Sequence, residues 1–349
     1  MEKEFRFEDN SFDVIRIVSA LFIVLGHIET HLKAPVFAPV LYVQQRWVGL
    51  VCLFVISGYV IPASLERSKN NQEYLKKRVM RVYPALWGAT LFSLIAIVVF
   101  GMAYSHLKVQ GIDIMTWLLG QLTFFQFYTP SSIEAYGVGN PNGSLWTISM
   151  EIQIYILIML LYGWLKRRNK KEWLILMGGG GIACNVIFSW MKPYLPSMVF
   201  KLINVTFIPY LYIYLIGMFA YTFRQELMPK LSRLFWPVLM AYIAWSFANG
   251  VFFNFNAGHY VNIVSGVFIC LLTLSGGYYF GKHRIKYDFS YSVYLYHMIV
   301  INVLTIVGIN ENAQSIVLTY VFTMLLSCLS VFEIEKQGKK LFEKVLRLK

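Results

Sequence analysis

Long apolar blocks, separated by short polar stretches, form the main pattern along this chain. Blocks such as ALWGATLFSLIAIVVF and IYILIMLLYGWL approach the ~20 residues that an α-helix needs to cross the hydrocarbon core of a membrane. The pattern therefore predicts an all-α integral membrane protein, a bundle of ten transmembrane helices. We predict spans at about 13–31, 46–64, 82–103, 145–165, 173–190, 203–223, 235–253, 258–281, 289–309 and 315–335.

One further apolar segment, 114–128, is short and carries two glutamines, and the basic residues decide whether it crosses. The loop 66–81 holds six Lys and Arg residues, which the positive-inside rule assigns to the cytoplasm. If 114–128 does not cross, the other basic stretches fall on the same side: 166–171 (KRRNKK), 224–233, 282–286 and the C-terminal tail. We therefore predict a non-spanning 114–128 segment and two cytoplasmic termini.

This topology leaves the loop 129–144 outside the membrane. The loop is rich in Pro, Gly, Ser and Asn and is uncharged except for Glu134, so we expect a flexible lid over an outer cavity. The first apolar block has no small-residue cleavage site, and we expect a retained span and not a signal peptide. Because we find no soluble domain and no repeat of fixed period, residues 1–349 are predicted to form a single membrane domain.

The composition agrees with this class of protein. Of 349 residues, 57% are hydrophobic and only 14% are charged, whereas about a quarter of the residues in soluble domains are charged. The net charge of +13 comes from short loops between apolar blocks, so it indicates membrane lipids and not nucleic acid as a partner. The four cysteines lie scattered inside apolar blocks without metal-binding spacing, and we expect them to be buried: Cys52, Cys184, Cys270 and Cys328.

Ionisable residues inside predicted spans are the first candidates for function, because charge is costly in lipid. They are Arg16, His27, Glu151 and His297, with Asp13 and His31 near the ends of the first span. Arg16 and His27 are eleven positions apart, which in a helix puts them on one face about 16 Å apart along the axis. Asp13 precedes Arg16 by three positions and is close enough to pair with it.

His27 and His31 have the four-residue spacing of a helical metal pair, but we predict no metal site. Glu29 turns away from His27 on a helix, and no third Cys or carboxylate ligand lies nearby in the sequence. Two interpretations of His27 stay open, a functional imidazole and a histidine that is only hydrogen-bonded inside the bundle.

Arg78 and Arg81 share a helix face at the start of the third span, followed by Pro84 and Trp87. Two guanidinium groups at the cytoplasmic surface are suited to the phosphates of a cytoplasmic ligand. The alternative is plain positive-inside anchoring.

Glu151 lies in the fourth predicted span, on one face with Thr147 and Tyr155. A carboxylate at this depth needs a partner, and it could orient the imidazole of His27. The alternative is a polar contact that only holds helices together.

Two further motifs have ordinary structural explanations. Ser57 and Gly58 in LFVISGYVI allow close helix approach, and we interpret them as packing residues. His297 in SYSVYLYHMIV lies well inside its span, where a functional residue and an ordinary bundle histidine are both open.

Taken together, these motifs resemble acyltransferase family 3, the integral-membrane O-acyltransferases of cell-surface glycans. The resemblance covers residues 13–297 in the family's order. Its elements are Asp13 and Arg16 with His27, FVISGY, RVMR with Pro84 and Trp87, LWTISMEIQIY, and YSVYLYH. The chain departs from the family's pattern at Ile17, where glycine is common, and at Met150 and Ile152 beside the motif glutamate.

The resemblance implies a ten-helix bundle in a plasma membrane, here a bacterial inner membrane. It implies an acyl-CoA donor, usually acetyl-CoA, entering from the cytoplasm, and a glycan or lipid-linked sugar hydroxyl as acceptor. The family's functional positions are occupied by Arg16, His27, Arg78 and Arg81, and its motif glutamate by Glu151.

We expect His27 to act as general base, with Glu151 holding its tautomer. Arg78 and Arg81, with Arg16 deeper, would bind the acetyl-CoA phosphates. No metal is required. A covalent acyl-histidine is a variant of this mechanism. The rival functions are a glycan transporter or flippase and a non-catalytic component of a polysaccharide export complex.

Overall fold

A computed structural model describes residues 5–165 and 170–345 of the chain. Residues 166–169 of the basic KRRNKK segment and residues 346–349 of the C-terminal tail lie outside the described residues. Throughout the described part, every regular element is helical and no strand occurs. The predicted all-α class is therefore confirmed.

The described residues form fifteen α-helices, several of which continue into π-helical turns. The first seven are α1 Phe12–His27, α2 Ala38–Arg46, α3 Gly49–Glu66, α4 Asn71–Ala96, α5 Gly111–Leu122, α6 Trp146–Leu165 and α7 Lys170–Met191. The remaining eight are α8 Ser197–Asn204, α9 Leu211–Thr222, α10 Arg224–Arg233, α11 Phe235–Ala248, α12 Ile263–Tyr279, α13 Ser290–Ile306, α14 Ala313–Leu329 and α15 Glu335–Val345. The π-helical turns follow α1, α4, α11 and α14, at Ile28–Leu32, Ile97–Tyr104, Asn249–Phe253 and Ser330–Ile334.

Six helical runs among the described residues are long and apolar enough to cross a membrane. They are Ala38–Glu66, Asn71–Tyr104, Trp146–Leu165, Lys170–Met191, Phe235–Phe253 and Ala313–Phe342. The pair Ser197–Asn204 and Ile208–Thr222, bent by 55°, adds a seventh if it forms one span. Two shorter apolar helices, α12 and α13, coincide with predicted spans 258–281 and 289–309. An integral membrane protein is thus supported, and the count of ten spans stays a prediction.

The contacts of the chain separate into two compact units. Unit 1 comprises Met1–Ser19, Arg46–Tyr74 and Ile152–Lys286, and unit 2 comprises Ala20–Gln45, Leu75–Glu151 and Tyr287–Lys349. The helices α1, α4 and α6 each contribute residues to both units, so neither unit is one continuous stretch of sequence.

Within unit 1, α3 and α9 approach each other so closely that their backbones touch. A Cβ atom on Gly58 would overlap the carbonyl oxygen of Tyr214, and one on Gly217 would lie 2.7 Å from the amide nitrogen of Tyr59. Small residues are the usual device for such contact between membrane helices, because it maximises dispersion contacts where the hydrophobic effect is weak. The packing role predicted for Gly58 is confirmed.

The end of α3 carries a carboxylate that is satisfied within unit 1. Tyr162 and Tyr221 each donate a hydrogen bond of 2.6 Å to Glu66, one to each carboxylate oxygen. The Arg224 guanidinium lies 3.8 Å from the same carboxylate. These contacts tie α3, α6, α9 and α10 together at one point.

The cysteines follow the prediction only in part. All four are free thiols; Cys52 and Cys270 are buried as expected, and Cys328 is only partly buried. Cys184 is exposed, because it lies on the outward side of α7, a helix with few buried residues.

We expect Gly58→Ala to lower the free energy of unfolding by about 1–3 kcal/mol, the usual cost of overpacking, because the added methyl group forces α3 and α9 apart. Thermal unfolding in detergent micelles measures the effect. Gly178→Ala on α7 is the matched control, since nothing lies within 4 Å of its added methyl group. Equal stability of the two variants would contradict the close backbone contact.

Candidate active site

The second half of α1 and the helix α13 form the centre of unit 2. Ala20, Val24 and Ile28 recur every four residues on one face of the α1 region and lie in the same buried cluster as Ile301 and Leu304 of α13. Tyr320 also donates a hydrogen bond of 2.9 Å to the carbonyl of Leu21. These apolar contacts hold the second half of α1 against α13, and the polar residues next to them are held in place as well.

The histidines of these two helices meet. The Nδ1 atom of His27 lies 2.7 Å from Nε2 of His297, and the ring planes differ by 30°. His297 is fully buried, whereas His27 is partly exposed. The other ring nitrogen of His297, Nδ1, lies 3.3 Å from the carbonyl oxygen of Val293, one turn earlier on α13. The pair thus has one fully buried member and one with some exposed surface.

His31 lies beside this pair without joining its hydrogen bond. Its ring centroid is 5.7 Å from that of His27, in an edge-on arrangement. The turn that carries His31 is π-helical, so the two rings do not have the α-helical geometry assumed from the sequence. Within residues 5–165 and 170–345, no group of three His, Cys, Asp or Glu side chains is arranged to hold a metal ion.

The loop 129–144 differs from the flexible lid that we predicted. Asn302 of α13 accepts a hydrogen bond from the amide of Val138 (2.9 Å) and donates to the carbonyls of Asn140 (3.0 Å) and Pro141 (3.1 Å). Asn142 is buried and donates to the carbonyl of Leu295 at 2.7 Å. The backbone of this segment is therefore held along α13, because three of its polar groups are hydrogen-bonded to the Asn302 side chain.

Hydrogen bonds also connect α13 to the start of α6. The Tyr294 hydroxyl donates to the carbonyl of Ser144 (2.9 Å) and lies 2.9 Å from the Thr147 hydroxyl. The Tyr294 ring centroid is 5.9 Å from that of His297. The wall beside the histidine pair is thus a fixed structure.

Arg81, predicted to bind a phosphate, has a carboxylate partner in unit 2. Its guanidinium contacts Asp288 at 2.7 Å and lies over the ring of Tyr291, 5.6 Å from the ring centroid. Asp288 also accepts a hydrogen bond of 2.5 Å from the Ser290 hydroxyl at the start of α13. Arg78 lies one turn before Arg81 on α4 and is partly exposed. Sequence patterns did not point to Asp288. Its position shortly before the start of α13 is a common place for a helix-capping Asp, and this signal could have identified it.

The remaining predicted residues are placed as follows. Arg16 lies 3.4 Å from Asp13 on α1, which confirms that pair. Glu151 lies on α6 and is partly exposed. In the described part of the chain, the hydrogen bond of the His27 ring is made with His297 and not with Glu151 as we expected. The catalytic roles of Arg16, His27 and Glu151 stay predictions.

The comparison with known families is decisive for the class of protein. The family described as an acyltransferase domain, acyltransferase family 3, matches residues 9–332. The chain belongs to this family. It is a membrane acyltransferase that transfers groups other than aminoacyl groups, and the resemblance seen in the sequence is confirmed.

Curated relatives of the acyltransferase agree with this assignment. Nodulation protein 10 of Rhizobium leguminosarum bv. viciae is 27% identical over 361 residues, which cover 95% of this chain and 94% of that protein. The O-acetyl transferase of Shigella phage Sf6 is 26% identical over 175 residues, 49% of this chain and 50% of its own. The peptidoglycan O-acetyltransferase OatA of Listeria monocytogenes is 22% identical over 191 residues, 52% of this chain and 28% of its own. No solved structure matches the acyltransferase.

We expect Asn302→Leu to release the segment 138–142 of the acyltransferase, because three backbone groups lose their partner at once. Hydrogen–deuterium exchange followed by mass spectrometry should show faster exchange of the peptide that contains Val138. Thr305→Val is the matched control, since the Thr305 hydroxyl donates to the carbonyl of Ile301 on its own helix. Unchanged exchange in Asn302→Leu would argue against the fastened loop.

Proposed function

We propose that this acyltransferase moves an acetyl group from cytoplasmic acetyl-CoA to a hydroxyl group of a cell-surface or lipid-linked glycan. The observation that carries the proposal is a partly exposed histidine, His27, hydrogen-bonded at 2.7 Å to a buried one in a chain of this family. The names of the relatives, O-acetyl transferase and peptidoglycan O-acetyltransferase, support both the acetyl group and a glycan acceptor.

The same proposal includes a topology. Residues 1–349 form a single membrane domain with ten spans and both termini in the cytoplasm, within a bacterial plasma membrane. The 114–128 segment does not cross. In support, α5 has 12 residues, about 18 Å of helix, against a hydrocarbon core of about 30 Å. This topology gives the donor a cytoplasmic entrance and the acceptor an outer one.

In the reaction, Nε2 of His27 takes the proton of the acceptor hydroxyl while the oxygen attacks the thioester carbonyl. A tetrahedral oxyanion forms and then collapses, so the carbon–sulfur bond breaks as the new ester remains on the sugar. The departing thiolate takes the proton from His27, which leaves the enzyme unchanged and releases CoA. Glu151 is proposed to contribute its negative charge to stabilising the imidazolium ion, since both nitrogens of the His27 ring are assigned to His297 and to the acceptor.

The donor is proposed to be bound by Arg78 and Arg81 on α4, and Arg16 on α1 is kept as a further proposed donor-binding residue. Arg81 holds the Asp288 carboxylate at 2.7 Å, and a phosphate offers the same guanidinium group a stronger anionic partner. The donor would therefore replace Asp288 as the ligand of Arg81, and the slender pantetheine arm would extend toward His27.

Two functions of other classes remain as alternatives, a glycan transporter or flippase and a non-catalytic component of a polysaccharide export complex. Neither consumes acetyl-CoA. Purified protein that consumes the thioester only when the glycan acceptor is present would separate the proposed enzyme from both.

We expect His27→Ala to reduce acetyl transfer by about 10²–10⁴-fold, the usual contribution of a general base, while the protein still folds and binds CoA. Mass spectrometry of the host's surface glycan, which gains one acetyl group per transfer, measures the activity. His106→Asn removes an exposed imidazole, and asparagine tolerates the positive φ of 56° at that position, so this variant serves as control. Full acetylation of the glycan by the His27→Ala protein would contradict the proposed role of His27 as general base.

We expect the double variant Arg78→Ala, Arg81→Ala to weaken CoA binding by about 10–100-fold, because charge-assisted hydrogen bonds to phosphate are lost. Calorimetry with CoA measures the affinity. The double variant Lys76→Ala, Lys77→Ala removes the same charge from the same helix and should change the affinity much less. Equal affinity of the arginine variant and His27→Ala would refute the assignment of the phosphate site.

A further inference from the structure

We propose that His297 is a positioning residue that fixes the tautomer of His27, so that the lone pair available for catalysis is on Nε2 of His27. The inference rests on the proposed function, since it adds a partner to the base named there. It assigns a role to a residue for which the sequence leaves a functional and a purely structural interpretation both open.

The first step concerns the protons of His297. Its Nδ1 atom lies 3.3 Å from the carbonyl oxygen of Val293. A carbonyl oxygen only accepts hydrogen bonds, so Nδ1 of His297 carries a proton and donates it to this contact. A neutral imidazole has a single N–H group, and Nε2 of His297 is therefore a lone pair.

The second step passes this constraint to His27. Its Nδ1 atom lies 2.7 Å from the lone pair on Nε2 of His297, and two lone pairs at this distance repel each other. His27 must therefore donate from Nδ1. Its own single proton is used in this bond, and Nε2 of His27 is left as the lone pair. Reversing the direction of the bond would leave the contact with Val293 without a hydrogen atom.

The surroundings of His297 make it a rigid support. The side chain has no exposed surface, and α13 is fixed on one side by the hydrogen bonds of Asn302 to the segment 138–141. Near its start, the Ser292 hydroxyl donates to the buried Glu335 at 2.6 Å. Because His297 is already fixed, it orients the imidazole of His27 without the loss of conformational entropy that ordering a mobile side chain would require.

The arrangement is also suited to the charge that develops during transfer. When Nε2 of His27 takes the hydroxyl proton, the ring becomes an imidazolium ion with two N–H groups. The Nδ1–H group still donates to the neutral Nε2 atom of His297, and this hydrogen bond stabilises the charge from the position that a carboxylate occupies in a serine-protease triad. The proton on Nε2 then passes to the CoA thiolate, and both rings return to their starting tautomers.

The neighbouring histidine does not offer the same support. His31 contacts the His27 ring only edge-on at 5.7 Å between centroids, and within the described residues the hydrogen bond of the His27 ring goes to His297. The variants His297→Leu and His31→Leu therefore remove one imidazole each from the same neighbourhood, but only the first breaks the bond that fixes the tautomer.

The test compares His297→Leu, His297→Gln and His31→Leu in a purified acetyl-transfer assay. We expect His297→Leu to lower kcat by about 10²–10⁴-fold, as loss of a tautomer-fixing partner does elsewhere, with little change in KM for acetyl-CoA. His297→Gln should recover at least a tenth of the wild-type kcat, because the amide oxygen of glutamine accepts a hydrogen bond from His27. His31→Leu should keep kcat within a few-fold of wild type.

A spectroscopic measurement on the intact wild-type protein decides the same question without any loss of fold. The chain has six histidines, and the ¹⁵N resonances of His27 in lipid bilayers are identified by their disappearance in His27→Ala. We expect the shifts of a neutral ring protonated at Nδ1 in the wild type, and a mixture of tautomers in His297→Leu. A wild-type His27 protonated at Nε2 would overturn the inference, as would full kcat in His297→Leu.

The outcomes also separate this inference from the proposed function. If His27→Ala is inactive while His297→Leu keeps full activity, only the positioning role fails. If His27→Ala itself keeps the wild-type rate, the proposed base fails. A glutamine variant no more active than the leucine variant, with both folded, would count against tautomer control even if both are slow.

Discussion

Inside a membrane, every backbone N–H and C=O group needs a partner within the protein, because no water is available to supply one. Most of the described chain meets this requirement by forming helices. The segment 138–142, which the proposed topology places outside the membrane, is not helical, and three of its backbone groups are paired with the Asn302 side chain of α13. The same bonds hold α13 still, and with it the buried histidine that faces His27.

Charged groups obey a related constraint, since an isolated charge in lipid is costly. In unit 1, two tyrosines and an arginine surround the Glu66 carboxylate, and Asp13 accompanies Arg16. In unit 2, Arg81 has Asp288. A guanidinium group that already pairs with a carboxylate can exchange it for a phosphate without passing through an unpaired state, which is the exchange proposed above for Arg81.

Much of the helical framework follows from the sequence, because apolar blocks of about 20 residues have few alternatives to a helix in lipid. The span predicted at 235–253 coincides with the helical run Phe235–Phe253. The close contact at Gly58 could also be predicted, since small residues in membrane helices commonly allow the backbones of two helices to approach each other. The exposure of Cys184 could not, because an apolar block does not tell which of its faces meets other helices and which meets lipid.

The site was harder to predict than the framework, because its contacts join distant parts of the chain. His27 and His297 are separated by 270 positions, and neither sequence neighbourhood names the other. The sequence suggested Glu151 as the partner of His27, because Glu151 is a carboxylate inside a predicted span. The hydrogen-bond partner of the His27 ring depends on which side chain lies near it in the fold, and residue type alone does not show this. The flexibility predicted for the loop 129–144 failed for a similar reason. Its Gly, Pro and Asn residues are typical of mobile loops, and only the side chain of Asn302 reveals that these residues are held.

The bond between Val138 and Asn302 has a consequence for how the protein is made. The two residues are 164 positions apart, so the loop emerges from the ribosome long before the helix that satisfies it. Until α13 is inserted, the polar backbone of residues 138–142 has to remain at the aqueous surface, where water serves as its partner. The loop can dock only after synthesis has reached α13, which makes the wall beside the histidine pair one of the last parts of unit 2 to assemble. A chain truncated before α13 would lack both the buried histidine and the partner that draws this loop into place.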